Sequence, residues 1–212
     1  MNPTIECQDV SLVCQYEIGQ EKMILVYIHG ASATSESFNY IRDRVGGRDM
    51  MVNYDSRNGF ENNLQAIRNQ IGHTRDIFFV AHSLGGIYAL HLANAIPEQV
   101  LGAVTLSTPY GGAEVADFAK FFLPFSRLMR DIGPTSWAMQ QADKIKIQHP
   151  WCNVVTLQGQ SPFMAEANDG VVTINSMRKH PDMELIDVQL NHYEVVLSDQ
   201  VVDIIKQRTN IL

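Results

Sequence analysis

Residues 77–97 read IFFVAHSLGGIYALHLANAIP, and the fold is decided by this stretch. Ile77 to Ala81 is a continuous β-favouring run of the kind that suits a strand buried on both faces. From Leu84 to Ile96 the chain is apolar almost all round, which reads as a buried helix, and Pro97 stops it. Between strand and helix lies Ala81-His82-Ser83-Leu84-Gly85-Gly86, a sharp turn. A serine at such a turn is forced up out of the sheet, and small residues are needed at Ala81 and Gly85 because their backbones crowd together. Ser83 is therefore the candidate nucleophile. The helix start behind it offers unpaired N–H groups and a positive dipole end. Both favour negative charge developing on an attacked carbonyl oxygen, with the Leu84 N–H as the expected donor. The plainer alternative is a glycine-rich turn that only joins strand to helix. The pentapeptide is G-x-S-x-G with Ala81 in place of the first glycine.

Working outward, further β-favouring runs occur at Met23 to Ile28, Leu101 to Leu106 and Asn153 to Leu157, with shorter ones at Met50 to Tyr54 and Met183 to Leu190. Helical candidates lie between them at Phe38 to Val45 and Asn62 to Ile71, and a last helix starts near Ser198 or Asp199 with Val201, Ile204 and Ile205 on one face. Ile5 to Ile18 could form an antiparallel pair at one edge. Alternation of this kind predicts an α/β protein, a mostly parallel central sheet with helices on both faces. No repeat or low-complexity linker divides residues 1–212, so one domain is expected. Residues 113–150 break the rhythm with Phe118, Phe121, Phe122, Phe125, Leu128, Met129, Trp137 and Met139 and no β-like run. This stretch reads either as a packed crossover helix pair or as a lid-like helical excursion. Its start beyond a carboxyl strand end, where ligands of open α/β sheets sit, favours the lid.

A serine hydroxyl needs a base, and the base needs a carboxylate to hold its tautomer. Of seven histidines, His29 and His82 belong to backbone motifs, while His73, His91 and His149 lie on or beside helices. His180 enters the last strand at its amino end, the wrong side. His192 follows that strand and shares the rim with Ser83, so it is the expected base. Asp169, in Asn168-Asp169-Gly170 after the fifth strand, is the expected acid; Asp187, Asp131 and Asp143 read as solvated or structural. Ile28-His29-Gly30-Ala31-Ser32 follows an early strand and provides a second oxyanion donor, the Ala31 N–H.

Composition narrows the functions available. Sixteen Lys and Arg against 23 Asp and Glu give a net charge of −7, with no basic patch, which argues against nucleic acid as a ligand. Cys7, Cys14 and Cys152 lack the C-x-x-C spacing of a zinc or redox site; they read as ordinary thiols, with a Cys7 to Cys14 bridge as the alternative. No run reaches a membrane span and the N-terminus has no export pattern. The chain as it stands reads as soluble and cytoplasmic, and a secreted form with its signal removed would look the same.

With these residues placed, the sequence resembles the α/β-hydrolase superfamily, and within it the small bacterial lipase and esterase group of bacillus-type and inositol-deacylase-like proteins. AHSLGG (81–86) and NHYEVVLSDQVVDIIK (191–206) carry the resemblance, with Ser107-Thr108-Pro109-Tyr110-Gly111-Gly112 similar to a T-P-H-G-G turn. Tyr54-Asp55-Ser56-Arg57 is similar to a D-x-R segment, and LMRDIGPTSW (128–137) looks like the lid region. Asn58 departs from the usual glycine after Arg57, and the excursion is longer than in lidless bacillus enzymes. The resemblance implies a catalytic Ser83, Asp169 and His192, oxyanion donors at Ala31 and Leu84, and neither cofactor nor metal. The expected activity is a serine esterase or lipase of lipid metabolism, acting on a small ester or lipid. Phe121, Phe122, Phe125 and Tyr110 are the expected substrate-binding residues, and a monomer with transient lipid-surface contact is the expected state. An acyl thioesterase using the same triad is the near alternative. A noncatalytic binding protein on a hydrolase scaffold is the remote one.

Overall fold

The computed structural model describes residues 23–111, 136–162 and 164–211. Six parallel strands form one sheet: β1 (Ile24–Ile28), β2 (Arg48–Val52), β3 (Ile77–His82), β4 (Val100–Leu106), β5 (Trp151–Thr156) and β6 (Glu184–Val188). The helices among the described residues are α1 (Asn39–Val45), α2 (Phe60–Ile71), α3 (Leu84–Ala95), α4 (Trp137–Ala142), α5 (Ile174–Met177) and α6 (Asp199–Thr209). The strand order is β2-β1-β3-β4-β5-β6. The chain thus steps to one side from β1 to β2 and then to the other from β3 onward. The crevice between the carboxyl ends of β1 and β3 is the switch point of the sheet, where an open parallel sheet exposes a binding cleft.

The central strands are apolar on both faces because both faces are covered. Val26 and Ile28 of β1 and Ile77, Phe79 and Ala81 of β3 point into one core with residues of α2, α3 and α4. Their neighbours Leu25, Tyr27, Phe78 and Val80 point into the other, against Phe38, Ile41 and Val45 and the Val201, Val202, Ile204, Ile205 face of α6. The last helix begins at Asp199, as its apolar spacing predicts.

Element ends differ from the sequence reading by a few residues, each for a local reason. β2 runs over Arg48–Val52 and stops before Tyr54, whose ring leaves the sheet to stack on His29. α2 starts at Phe60 because Gly59, at φ 87°, turns the chain there. Within 113–150 the described part is the short helix α4 and the connection to β5. The antiparallel pair expected at Ile5 to Ile18, Cys7, Cys14, Phe121, Phe122, Phe125 and Asp131 lie outside the described residues. Cys152 is a buried free thiol in β5, and burial pushes its ionisation up to about 11. No helix among the described residues is long and apolar enough to cross a membrane.

Candidate active site

Ser83 caps the step from β3 into α3 with φ 54° and ψ −123°, a backbone region that L-residues rarely occupy. Its N–H donates to the Leu106 carbonyl at 2.8 Å, so β4 holds the strained residue in place. Gly85 explains how the helix fits behind it: a Cβ there would lie 2.1 Å from the Ile28 carbonyl oxygen, closer than atoms pack. α3 therefore presses its first turn onto the end of β1. Gly30 does the same from the opposite side, since a Cβ on it would lie 3.1 Å from Ser83 Cβ and 3.2 Å from His82 Nδ1. The loop carrying Ala31 is thereby set beside Ser83. The Leu84 N–H, first in α3, has no partner within the helix.

Three contacts from the chain after β1 and β2 shape that loop. The Tyr54 hydroxyl donates to the His29 carbonyl at 2.7 Å, its ring stacks on the His29 imidazole at 4.2 Å, and the Ser32 N–H donates to Ser56 Oγ at 3.0 Å. Burial holds His29 below its ordinary imidazole value, so it stays neutral.

Asp169 and His192 meet on the β5 and β6 side of the same rim. Asp169 Oδ2 lies 2.8 Å from His192 Nδ1, and the His192 N–H donates to the Asp169 carbonyl at 3.1 Å. Oδ1 accepts the N–H groups of Val171 at 3.0 Å and Val172 at 2.7 Å, and Oδ2 also accepts the Thr156 hydroxyl at 2.5 Å. Burial pulls the Asp169 carboxyl upward, but the His192 charge, its hydrogen bond, the Thr156 hydroxyl and the Val172 N–H outweigh it and hold the group below the usual carboxylate range. An ionised Asp169 is acceptor only, so His192 Nδ1 carries the proton and Nε2 is the basic nitrogen. Both side chains are at most 2% exposed, in surroundings where a charge interaction is stronger than in water.

His82 joins the two halves. Its Nε2 donates to the His192 carbonyl at 3.0 Å, and the two imidazole rings are 4.7 Å apart. The residue next to Ser83 in the chain thus fixes the backbone of His192. Burial first of all, and next the neighbouring His192 imidazole, push His82 down to about 3, so it acts as a neutral donor.

The family model described as alpha/beta hydrolase family matches residues 25–166. The chain belongs to the alpha/beta hydrolase family. Similar solved structures include the mature lipase BlEst2 of Bacillus licheniformis, at TM-score 0.66 and 16% identity over 89% of this chain and 92% of that one. The monoacylglycerol lipase of Paleococcus ferrophilus matches at TM-score 0.64 and 13% identity over 90% and 93%, and an alpha/beta superfamily hydrolase of Oenococcus oeni at 0.62 and 13% over 89% and 92%. At these identities the likeness is one of fold. Comparison by sequence with curated proteins gives no match.

In this α/β hydrolase the other singled-out side chains take structural places. His91 bonds the Ala138 carbonyl and His180 that of Ile145, while Asp187 pairs with Arg178 at 2.6 Å and Asp143 with Lys179 at 3.9 Å. Tyr110 lies within the core. Expected to bind substrate, it is buried, its hydroxyl donating to Thr105 Oγ1 at 3.0 Å and accepting from Trp151 Nε1 at 2.9 Å. An aromatic residue after a strand end was legible; that its polar tip would be spent inside the core was not. Among the described residues no cluster of three or more histidine, cysteine or acidic side chains could hold a metal. The sequence reading missed Thr156, His82, Tyr54 and Ser56 as contributors to the site. Each sits at or just past the carboxyl end of a strand, and that position was the available signal.

Proposed function

We propose that this α/β hydrolase is a serine hydrolase that cleaves carboxylic esters through Ser83, His192 and Asp169. The observation that carries the reading is the buried Asp169–His192 pair, tied through His82 to the strained turn that bears Ser83. His192 Nε2 takes the Ser83 proton as Oγ attacks the ester carbonyl, and Asp169 stabilises the imidazolium formed. The N–H groups of Ala31 and Leu84 hold the oxyanion, helped by the dipole of α3. His192 then protonates the leaving alcohol. In the second half it draws a proton from water, which attacks the acyl-enzyme and releases the acid. No step needs a cofactor or a metal.

A fluorophosphonate, which reacts covalently with activated serines, tests the proposal when the adduct is located by peptide mass spectrometry. Labelling of Ser83 that His192→Ala abolishes is the expected result. A folded protein that neither labels at Ser83 nor hydrolyses p-nitrophenyl esters of any acyl length overturns it.

A further inference from the structure

Asp169 Oδ2 is shared between two donors, and behind one of them stands a second buried hydroxyl. Thr156 Oγ1 lies 2.5 Å from Oδ2 and 2.8 Å from Ser107 Oγ. The direction of these bonds is fixed by chemistry. An ionised carboxylate only accepts, so the Thr156 proton goes to Asp169, and Ser107 must then donate to Thr156. The line runs Ser107, Thr156, Asp169, His192 across the carboxyl ends of β4, β5 and the last two loops. Both hydroxyl residues are fully buried. Ser107 takes part at a backbone cost, since it sits at φ 50° without being glycine. Its N–H is anchored to the Val154 carbonyl at 2.9 Å, which aims its hydroxyl toward β5.

We propose that Ser107 and Thr156 are positioning residues for the hydrolytic reaction, a hydroxyl relay that pins Asp169 Oδ2 and thereby sets both the orientation and the basicity of His192. The inference rests on the reading of Asp169 and His192 as acid and base. The two Oδ1 bonds from Val171 and Val172 fix one end of the carboxylate, but rotation about that end is stopped only by what holds Oδ2. The donated hydroxyl also draws negative charge away from the imidazole. Removing it leaves a carboxylate that holds the imidazolium proton more tightly. Among the described residues, the other titratable groups facing the pair include His82 from β3, with His29 behind it, and Tyr193, whose ring meets His192 edge-on at 5.7 Å. His82 and His29 are held neutral and the Tyr193 phenol is pushed up, so none of these competes with the pair near neutral pH.

The test uses Thr156→Val, which keeps shape and loses the hydroxyl, and Thr156→Ser, which keeps the hydroxyl and loses the methyl. Ser107→Ala and Ser107→Gly accompany them, each checked for folding by its melting curve. Thr156→Val is expected to lower kcat for ester hydrolysis, and the rate of fluorophosphonate labelling at Ser83, by about tenfold or more with KM nearly unchanged. The acid limb of its kcat/KM profile should move to higher pH by about half a unit or more. Thr156→Ser should restore both. Ser107→Ala and Ser107→Gly should fall alike, by about threefold, because relief of the positive φ in the glycine variant does not replace the hydroxyl. A Thr156→Val rate and limb that superimpose on wild type overturn the proposal, as does a Thr156→Ser as slow as Thr156→Val. If Thr156→Val does not fold, a Ser107→Ala of wild-type rate and limb overturns it. If the wild-type protein hydrolyses no ester and takes no label, the esterase reading fails separately. The low-field proton NMR signal of His192 Nδ1–H then decides: a signal shifted by Thr156→Val supports the relay, and an unmoved one overturns it.

Discussion

Ser83 and Ser107 occupy the same place on neighbouring strands and do different work. Each is the first residue after its strand, each has a positive φ, 54° and 50°, and each donates its N–H to a carbonyl of the next strand. The strained step out of the sheet is therefore not what makes a nucleophile. Ser83 leads straight into the twelve-residue helix α3, whose second residue, Gly85, lets it press against β1. Ser107 leads into Thr108-Pro109-Tyr110, none of them helical, and has its hydroxyl tied to Thr156. Under the proposed mechanism, a helix N-terminus, a facing loop at Gly30 and an imidazole on the rim are what would make one serine react and leave the other in support.

The largest expected effect breaks the comparison outright. Ser83→Ala should lower ester turnover by about a millionfold and leave the melting temperature nearly unchanged, while Ser107→Ala costs only a few-fold. Assay of both variants on p-nitrophenyl esters checks this, and equal losses would mean that the two serines have not been told apart. Next in size is Gly85→Ala. Its methyl would collide with the Ile28 backbone, so either α3 or β1 must move, at about 3 kcal/mol of stability and a matching loss of activity. Chemical denaturation reads the first quantity. No glycine plays this part behind Ser107, where Pro109 stands two residues on as Gly85 does after Ser83.

The two sides also differ in their response to acid. Around β3 and α3 stand His29, His82 and His91, all buried and all held below the ordinary imidazole value, first of all by burial. Each contributes stability that is fully present above the unfolded histidine value. It is lost as pH falls toward the folded one, about 3 for His82, because the unfolded chain takes up protons that the folded chain refuses. The melting temperature should therefore fall steadily between about pH 6.5 and pH 4. His82→Gln, which can still donate to the His192 carbonyl, should flatten that slope by about one proton. An unchanged slope would show that His82 is solvated. The hydroxyls of Ser107 and Thr156 do not titrate in this range and add nothing to it.

How much of this was legible depended on whether the signal was local. β3, the turn and α3 are continuous in sequence, and their apolar pattern alone places Ser83 at a strand end. His192 and Asp169 could be ranked by rim position, because a parallel sheet puts every following loop on one edge. Thr156 and Ser107 could not be found in that way. Each is an ordinary polar residue closing an apolar run, and its role comes from strand neighbours set by the order β3-β4-β5, which no single run reveals. The partners of Tyr110 were hidden for the same reason: Thr105 and Trp151 lie on two strands.

A last, modest effect probes the other support of Ser83, the loop after β1. Its backbone is held by Tyr54, through the His29 carbonyl, and by Ser56, through the Ser32 N–H, with Ser32 at φ 57°. These bonds are made to neutral groups, unlike the bond of Thr156 to a carboxylate, and each is worth about 1 kcal/mol. Tyr54→Phe keeps the ring that stacks on His29 and removes only the hydroxyl, so kcat should fall by about fivefold with the acid limb in place. The unmoved limb separates this loop from the relay. An Ala31 N–H out of line weakens the hold on the oxyanion whatever the protonation of His192, whereas a loosened Asp169 changes that protonation itself. A Tyr54→Phe profile whose limb moved would join the two supports into one coupled network.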